Sequence, residues 1–244
     1  MDQARTPHYA LFDMSKLDLA LETSQNTATH NRILDAAERL FAEHGITGTS
    51  VRSITDLAQV NVAAVNYHFG SKEKLVRAVI DRRLDALEAA RAAALDAVEA
   101  KAKGEGRAAT VVELVGALIA PVFAQALAES SGWPHFIRFV SRLAWEPGAE
   151  GLSPPESSLR LLERFDHALQ RAVPTLAISD SARVWRLAFM RGATLHAILI
   201  ITAKRAGRIP KEIPFAAAIA AADDETIKRE LIAFVAAGLA APSP

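Results

Sequence analysis

The chain has 244 residues, half of them apolar, which is enough for one or two domains with a real core. Its 28 basic residues are balanced by 28 acidic ones, so no overall basicity announces a nucleic acid and such a partner would have to meet a local patch. Cysteine is absent, which excludes disulfides and thiolate sites and fits a reducing, cytoplasmic setting.

In chain order, residues 1–28 are polar and irregular apart from Leu17, Leu19 and Leu21, and a flexible N-terminal arm is expected there. No basic stretch followed by an apolar one opens the chain, so no secretory signal is expected. Over 31–44 the residues Ile33, Leu34, Ala37, Leu40 and Phe41 recur at helical spacing, and Gly45 closes that first helix. The next segment, S-V-R-S-I-T-D-L-A at 50–58, reads as a capped amphipathic helix with Val51, Ile54, Leu57 and Ala58 inward. Gln59 and Val60 form a tight link to Asn61, which caps a helix over 62–68. Gly70 stops that helix and Ser71 caps the next. Two turns cannot persist alone in water, so neighbours must support them. The outward side carries small residues (Ala63, Ala64), an amide (Asn66), a phenol (Tyr67) and an imidazole (His68). Small side chains permit close approach and polar tips offer hydrogen bonds, which suits a helix in a DNA major groove. A connector helix inside an all-α domain is the alternative. Helix, short turn, helix and a basic helix start together make a helix-turn-helix arrangement, with Phe41 and Phe69 in its core.

Residues 31–75 resemble the DNA-binding domain of the TetR family of repressors. The resemblance is carried by I-L-D-A-A-E-R-L-F-A-E-H-G at 33–45, T-S-V-R-S-I at 49–54 and V-N-Y-H-F-G-S-K at 65–72. It implies phosphate contacts from Ser50, Arg52, Tyr67, His68 and Lys72, and base reading by Ala63, Ala64 and Asn66. Gln59 stands where the family usually has glycine, which implies a strained or altered turn. Asn66 stands where a tyrosine is common, so that position's contacts need not carry over.

Lys72 opens a much longer helical pattern that meets no proline or glycine until Gly104. Further helices are expected over 110–129, 134–145, 155–173, 179–206 and 224–237, with proline and glycine clustered between them, notably over 207–214. No strand alternation is long enough to trust. The apolar run 111–127 is interrupted by Glu113, Pro121 and Gln125, so it is expected as a buried helix and not as a membrane span. No phosphate-binding loop, dinucleotide fingerprint, nucleophile elbow or H-E-x-x-H pair occurs, and the seven histidines never pair at metal-ligand spacing. No catalytic residue, metal or cofactor is therefore expected.

Two constellations in the second half stand out. His135, Arg138, Arg142 and Trp145 share one helical stripe. Two arginines a turn apart either clamp a carboxylate or phosphate, or form a solvated basic face. Over 184–201 the helix is apolar almost all round, with Gly192, Ala193 and Ala197 permitting close helix approach. There Trp185, Phe189, Met190 and His196 either line a cavity or pack as core. The segments W-R-L-A-F-M-R-G-A at 185–193 and F-I-R-F-V-S-R-L-A-W at 136–145 resemble the regulatory half of PsrA-type TetR regulators, which respond to long-chain fatty acids or their CoA thioesters. That implies a small hydrophobic effector, held by Arg138, Arg142, Trp145, Trp185, Phe189 and Met190.

The expected architecture is all-α: the arm over 1–28, a three-helix helix-turn-helix DNA-binding domain over 29–76, and a larger helical ligand-binding and dimerisation domain over 77–244. The expected function is ligand-controlled repression by a homodimer joined through its last two long helices. It would sit on a palindromic double-stranded DNA operator in the cytoplasm, with no membrane role. A helical enzyme or carrier of an apolar small molecule, with no DNA role, is the alternative.

Overall fold

Helix α1 runs over Met14–His44, so its first half occupies 14–28, a stretch expected to be irregular. In this computed structural model residues 14–128, 132–143, 146–147, 149, 152–173, 180–212 and 214–242 are described, with backbone alone at 14–22 and 180. Among them are ten helices and no strand. After α1 come α2 (Val51–Ala58), α3 (Val62–Phe69) and α4 (Lys72–Gly104). The body then adds α5 (Val111–Ala126), α6 (Trp133–Leu143), α7 (Glu156–Ala172), α8 (Asp180–Arg205), α9 (Ala216–Ala221) and α10 (Asp224–Ala240). Most boundaries fall within two or three residues of the expected ones. Helix α9 was not expected at all.

The head forms because three short apolar stripes meet. Ile33, Ala37 and Phe41 of α1, Ile54 and Ala58 of α2, and Val65 and Phe69 of α3 are all buried together. Leu75, Val76 and Val79 continue this core into α4, a helix about 50 Å long at 1.5 Å per residue. Leu57, expected to face inward, is partly exposed; Thr55 takes the inward place, its hydroxyl donating to the Arg52 carbonyl at 2.9 Å.

In the body α5 is central, burying Leu114, Val115, Leu118, Ile119, Val122 and Phe123 against its neighbours. Pro121 within it can donate no backbone hydrogen bond. Beside that gap Arg91 of α4 donates from Nε to the Leu118 carbonyl at 2.9 Å. Arg91 also lies 3.3 Å from Glu88, which accepts from the Ser158 hydroxyl at 2.9 Å, so α4, α5 and α7 meet at one polar knot. Burial there pushes the Arg91 pKa down. Helices α8 and α10 run antiparallel. Arg186 near the start of α8 donates to the Leu239 carbonyl at 3.3 Å, while Arg205 at its end pairs with Asp224 at 2.7 Å. Ser181–Arg205 is long and apolar enough, by length and composition, to cross a membrane; Val111–Ala126 is apolar but shorter.

The head is fastened to the body at both ends of α6. At its start, the Glu38 side chain, only 3% exposed, lies 2.8 Å from Arg82 and 2.7 Å from Arg83, both of α4. Arg82 also reaches Asp35 at 2.7 Å, and the Arg83 guanidinium sits 5.9 Å from the Trp133 ring centre. Gly132, at φ +69, must be bare beside this cluster: a Cβ there would come within 2.4 Å of Arg83. At the far end the Ile46 amide donates to Glu146 at 2.8 Å, and Arg142 lies 3.4 Å from the same carboxylate. Gly45 does close α1 as expected (φ +76), and it must also be bare, because a Cβ would meet the Glu146 carboxylate at 2.2 Å. Between the two ends Phe41 packs on Phe139 with ring centres 5.5 Å apart.

The α2–α3 link shows what replacing glycine costs. Gln59 sits at φ 54, ψ 49, with its amide turned back onto α2. An L-residue pays about 1–2 kcal/mol in that region, of which glycine's greater chain entropy would take back about half. Gln59→Gly should therefore raise stability by about 0.5–1 kcal/mol, and thermal unfolding should shift up by roughly 1–4 °C. A lower midpoint would mean that the Gln59 side chain contributes contacts of its own.

Candidate nucleic-acid interface

Two caps set the geometry of the outer face of the head. At the start of α2 the Ser53 amide donates to the Ser50 hydroxyl at 3.0 Å while the Ser50 amide donates back to Ser53 at 3.1 Å. Ser50 and Arg52 stand exposed at that N-terminus, where helix amides favour an anion. At the start of α3 the Asn61 side chain accepts from the Ala64 amide at 2.9 Å. With Val65 and Phe69 buried one turn apart, Val62, Ala63, Asn66 and Tyr67 are forced outward. Tyr67 is 78% exposed.

Two residues depart from the expected face. Ala64 is half-buried and packs against the core, which turns it away from the exposed surface. Val62 takes its place: it is exposed at the first position of α3, one turn from Asn66. The signal for Val62 was available, since i and i+4 share a helical face.

His68 is half-buried under the head. Its ring is T-shaped to His30 of α1 at 5.7 Å and to Tyr67 at 5.2 Å, while His30 stacks on Phe69 at 4.7 Å. Burial, and secondarily the neighbouring His30, push the His68 pKa below the usual histidine range. Lys72 opens α4, whose cap Ser71 accepts from the Lys74 amide at 3.3 Å. The face thus offers methyl groups, one amide and one phenol at its centre, with Arg52, His68 and Lys72 around it. Such a surface can enter a groove and hold phosphates on both sides.

Of the six expected ligand residues, the five that are described are not brought together. Arg138 and Arg142 are exposed on α6, and Arg142 is engaged by Glu146 and by the Glu43 carbonyl at 3.5 Å. The pair therefore does not stand free at a cavity mouth. Trp145 lies outside the described residues. Trp185 and Phe189 stack on each other at 6.0 Å but are largely exposed, so they line no cavity within one chain, and Met190 packs half-buried against the core. An open cleft of about 440 Å³ lies between α4 and α7, lined by Glu99, Arg160, Glu163, Arg164, His167 and Arg171. A second, of about 300 Å³, lies beside Leu127, Pro134 and Thr202. Neither is lined by any of the five described ones. Among the described residues no group of three or more histidines, aspartates or glutamates could hold a metal.

Comparison with known proteins identifies the family. The tetR family of bacterial regulatory proteins matches over residues 33–79, and the tetracyclin repressor-like C-terminal domain matches over 116–238. The HTH-type transcriptional repressor KstR2 of Rhodococcus jostii is 38% identical over 66 residues, 27% of this chain and 32% of that protein. The HTH-type transcriptional repressor Rv3405c of Mycobacterium tuberculosis is 51% identical over 49 residues, 20% of this chain and 26% of that protein. The chain thus spans about a third or less of the length of these curated relatives. A putative tetR family transcription regulator from Shewanella sp. superposes with a TM-score of 0.49 at 18% identity, covering 78% of this chain and 93% of that one. With one matched segment on the helix-turn-helix head and another over half of the chain in the body, the protein belongs to the TetR family of bacterial regulators.

Proposed function

We propose that this regulator represses transcription as a homodimer that grips a palindromic DNA operator and lets go when a small hydrophobic effector binds its body. The observation that carries the reading is the capped α3 helix, which exposes Val62, Ala63, Asn66 and Tyr67, with Arg52 exposed on α2 and Lys72 opening α4. In the dimer two such helices would lie one DNA turn apart, roughly 34–36 Å. Asn66 is the residue suited to adenine, through a bidentate amide contact, and the Val62 and Ala63 methyls suit thymine. Ser50, Arg52, Tyr67, His68 and Lys72 would hold phosphates. The partner face is the exposed side of α8 and α10, where Trp185, Phe189 and Phe234 lie open. Such a protein acts in the cytoplasm.

For the effector, a long acyl chain is the reading supported by the apolar body, each buried methylene contributing about 0.8 kcal/mol. The exposed positions of Arg138 and Arg142 lend no support to their gripping its head group. Because α1 is fastened to α4 through Glu38 and to α6 through Glu146, displacement of either body helix would carry the head with it. The test is one titration. A fluorescent duplex of the DNA upstream of the gene is bound by the protein, then challenged with fatty acids and acyl-CoAs of increasing length. Absence of binding removes the repressor reading; binding that no acyl species reverses removes the ligand class alone.

Two further outcomes follow from the face itself. Lys72→Ala should weaken binding to every sequence alike and flatten the salt dependence by about 0.9 in log–log slope, since one fewer phosphate is neutralised. An unchanged slope would take Lys72 off the backbone. His68 is held largely neutral at neutral pH, and a phosphate beside it would favour its protonated form. Binding should then take up a proton, so affinity rises as pH falls toward the lowered His68 pKa, by up to about tenfold per pH unit per head, and levels off below it. His30 faces the same ring and opposes that charge. His68→Gln should flatten the pH profile; a profile that stays steep would place the proton elsewhere.

A further inference from the structure

Two histidines far apart in the sequence meet between α1 and the last turn of α3. The His30 and His68 rings stand 5.7 Å apart, centre to centre, at 71° to each other. Each is also held on its own side: His30 stacks on Phe69 at 4.7 Å, and the Tyr67 ring flanks His68 at 5.2 Å. The helices that carry them are fixed by the buried Ile33, Val65 and Phe69. Both histidines are half-buried, and among the described residues no hydrogen bond or ion pair engages a ring nitrogen of either. Burial keeps His68 largely neutral at neutral pH, which leaves it a nitrogen lone pair to offer.

We infer that His30 and His68 together bind a divalent transition metal ion of the zinc type, with open positions that a backbone phosphate of the operator can fill. Neutral imidazole is the commonest metal ligand, and zinc takes it at about 2.0–2.1 Å. Around one tetrahedral ion two such ring centres lie roughly 5 Å apart, close to the observed 5.7 Å, so small side-chain rotations suffice. Magnesium prefers oxygen ligands and does not suit the pair. Two protein ligands do not close a zinc shell, which sets this apart from a structural site and leaves places for water or a third ligand. His68 is one of the phosphate-holding residues of the proposed function, so a phosphate oxygen is the ligand at hand. That half of the inference rests on the operator reading; the metal site itself does not. A dication there would be the largest local charge beside the groove-facing helix.

Zinc titrated into the full-length protein without DNA should bind at one ion per chain by calorimetry, and magnesium should not. In the unsubstituted protein the ring ¹H–¹⁵N signals of His30 and His68 should move together as zinc is added. His30→Gln and His68→Gln should each weaken zinc at least about tenfold. His44→Gln, which alters a histidine 3.8 Å from Glu43, should leave it unchanged. Zinc that follows His44, or that is not taken up at all, overturns the site. With zinc present, the dissociation constant for the duplex upstream of the gene should fall about fivefold or more. His30→Gln should abolish that gain while leaving metal-free binding as it was. Zinc held by the pair without any gain keeps the metal site and denies it the phosphate. A chain that binds no DNA removes the operator reading and the phosphate with it, while the zinc titration still decides the site.

Discussion

Glu38→Ala should cost about 3–5 kcal/mol of stability and lower the thermal midpoint by roughly 6–20 °C. The Glu38 carboxylate is almost fully enclosed and takes hydrogen bonds from three guanidinium nitrogens, at 2.8 Å from Arg82 and at 2.8 and 2.7 Å from Arg83. Its removal takes away the carboxylate that the two arginines share, while Arg82 keeps the exposed Asp35. The loss reflects an uncompensated buried charge and is no measure of what the cluster adds over an apolar core. Replacing all three residues together by methionine and leucines of similar volume should therefore cost far less than Glu38→Ala alone. Arg82→Ala should be milder than Arg83→Ala, because the Arg83 contact with Glu38 is bidentate and less exposed. Thermal unfolding of the four variants decides the matter. A Glu38→Ala loss below about 1 kcal/mol would mean that solvent reaches the site.

Much of the head was legible because its helices are short and each must bury one stripe. Val65 and Phe69 fix α3, and everything on the opposite side of an eight-residue helix follows from them. Ala64 escaped because an alanine's outline does not reveal which way it faces; only the packing of α3 against α1 and α2 does. The Gln59 turn was legible as strain, since glycine's freedom is missing there. Glu38 left a trace in the sequence that the expected core did not include: it lies on the same stripe as Leu34, Ala37 and Phe41, where the structure buries it. Its partners, forty-four and forty-five residues away, follow from no spacing rule. In the body, periodicity gave the helices but not their neighbours. The stripe of Arg138 and Arg142 was correctly drawn, and the structure places it on the outside of α6. Helix α9 was hidden for a different reason: alanine favours helix, yet proline and glycine crowd the preceding residues and nothing in the segment is buried to mark a periodicity.

Phe189→Glu should turn the protein into a monomer at working concentrations and abolish tight operator binding. Phe189 stacks on Trp185 along α8, and Phe234, 72% exposed, lies on the adjacent α10. Gly192 and Gly238 lie on these two helices, and a Cβ at either would meet nothing within 4 Å, so both leave room for another helix to come close. In a two-fold dimer the face meets its own copy, and each substitution is felt twice. Losing a buried phenylalanine costs about 1.5–3 kcal/mol, so two copies cost about 3–6 kcal/mol even before the carboxylates are desolvated. At 1.4 kcal/mol per tenfold, the dimer dissociation constant should rise at least about a hundredfold. A monomer carries one head and reaches one half-site, so only weak, strongly salt-dependent binding should remain. Sedimentation equilibrium reads the first effect and a gel shift the second, with Phe189→Leu as the variant that should keep most of both. Should Phe189→Glu sediment as a full dimer, α8 and α10 are not the interface, and the exposed aromatics on them must serve some other surface.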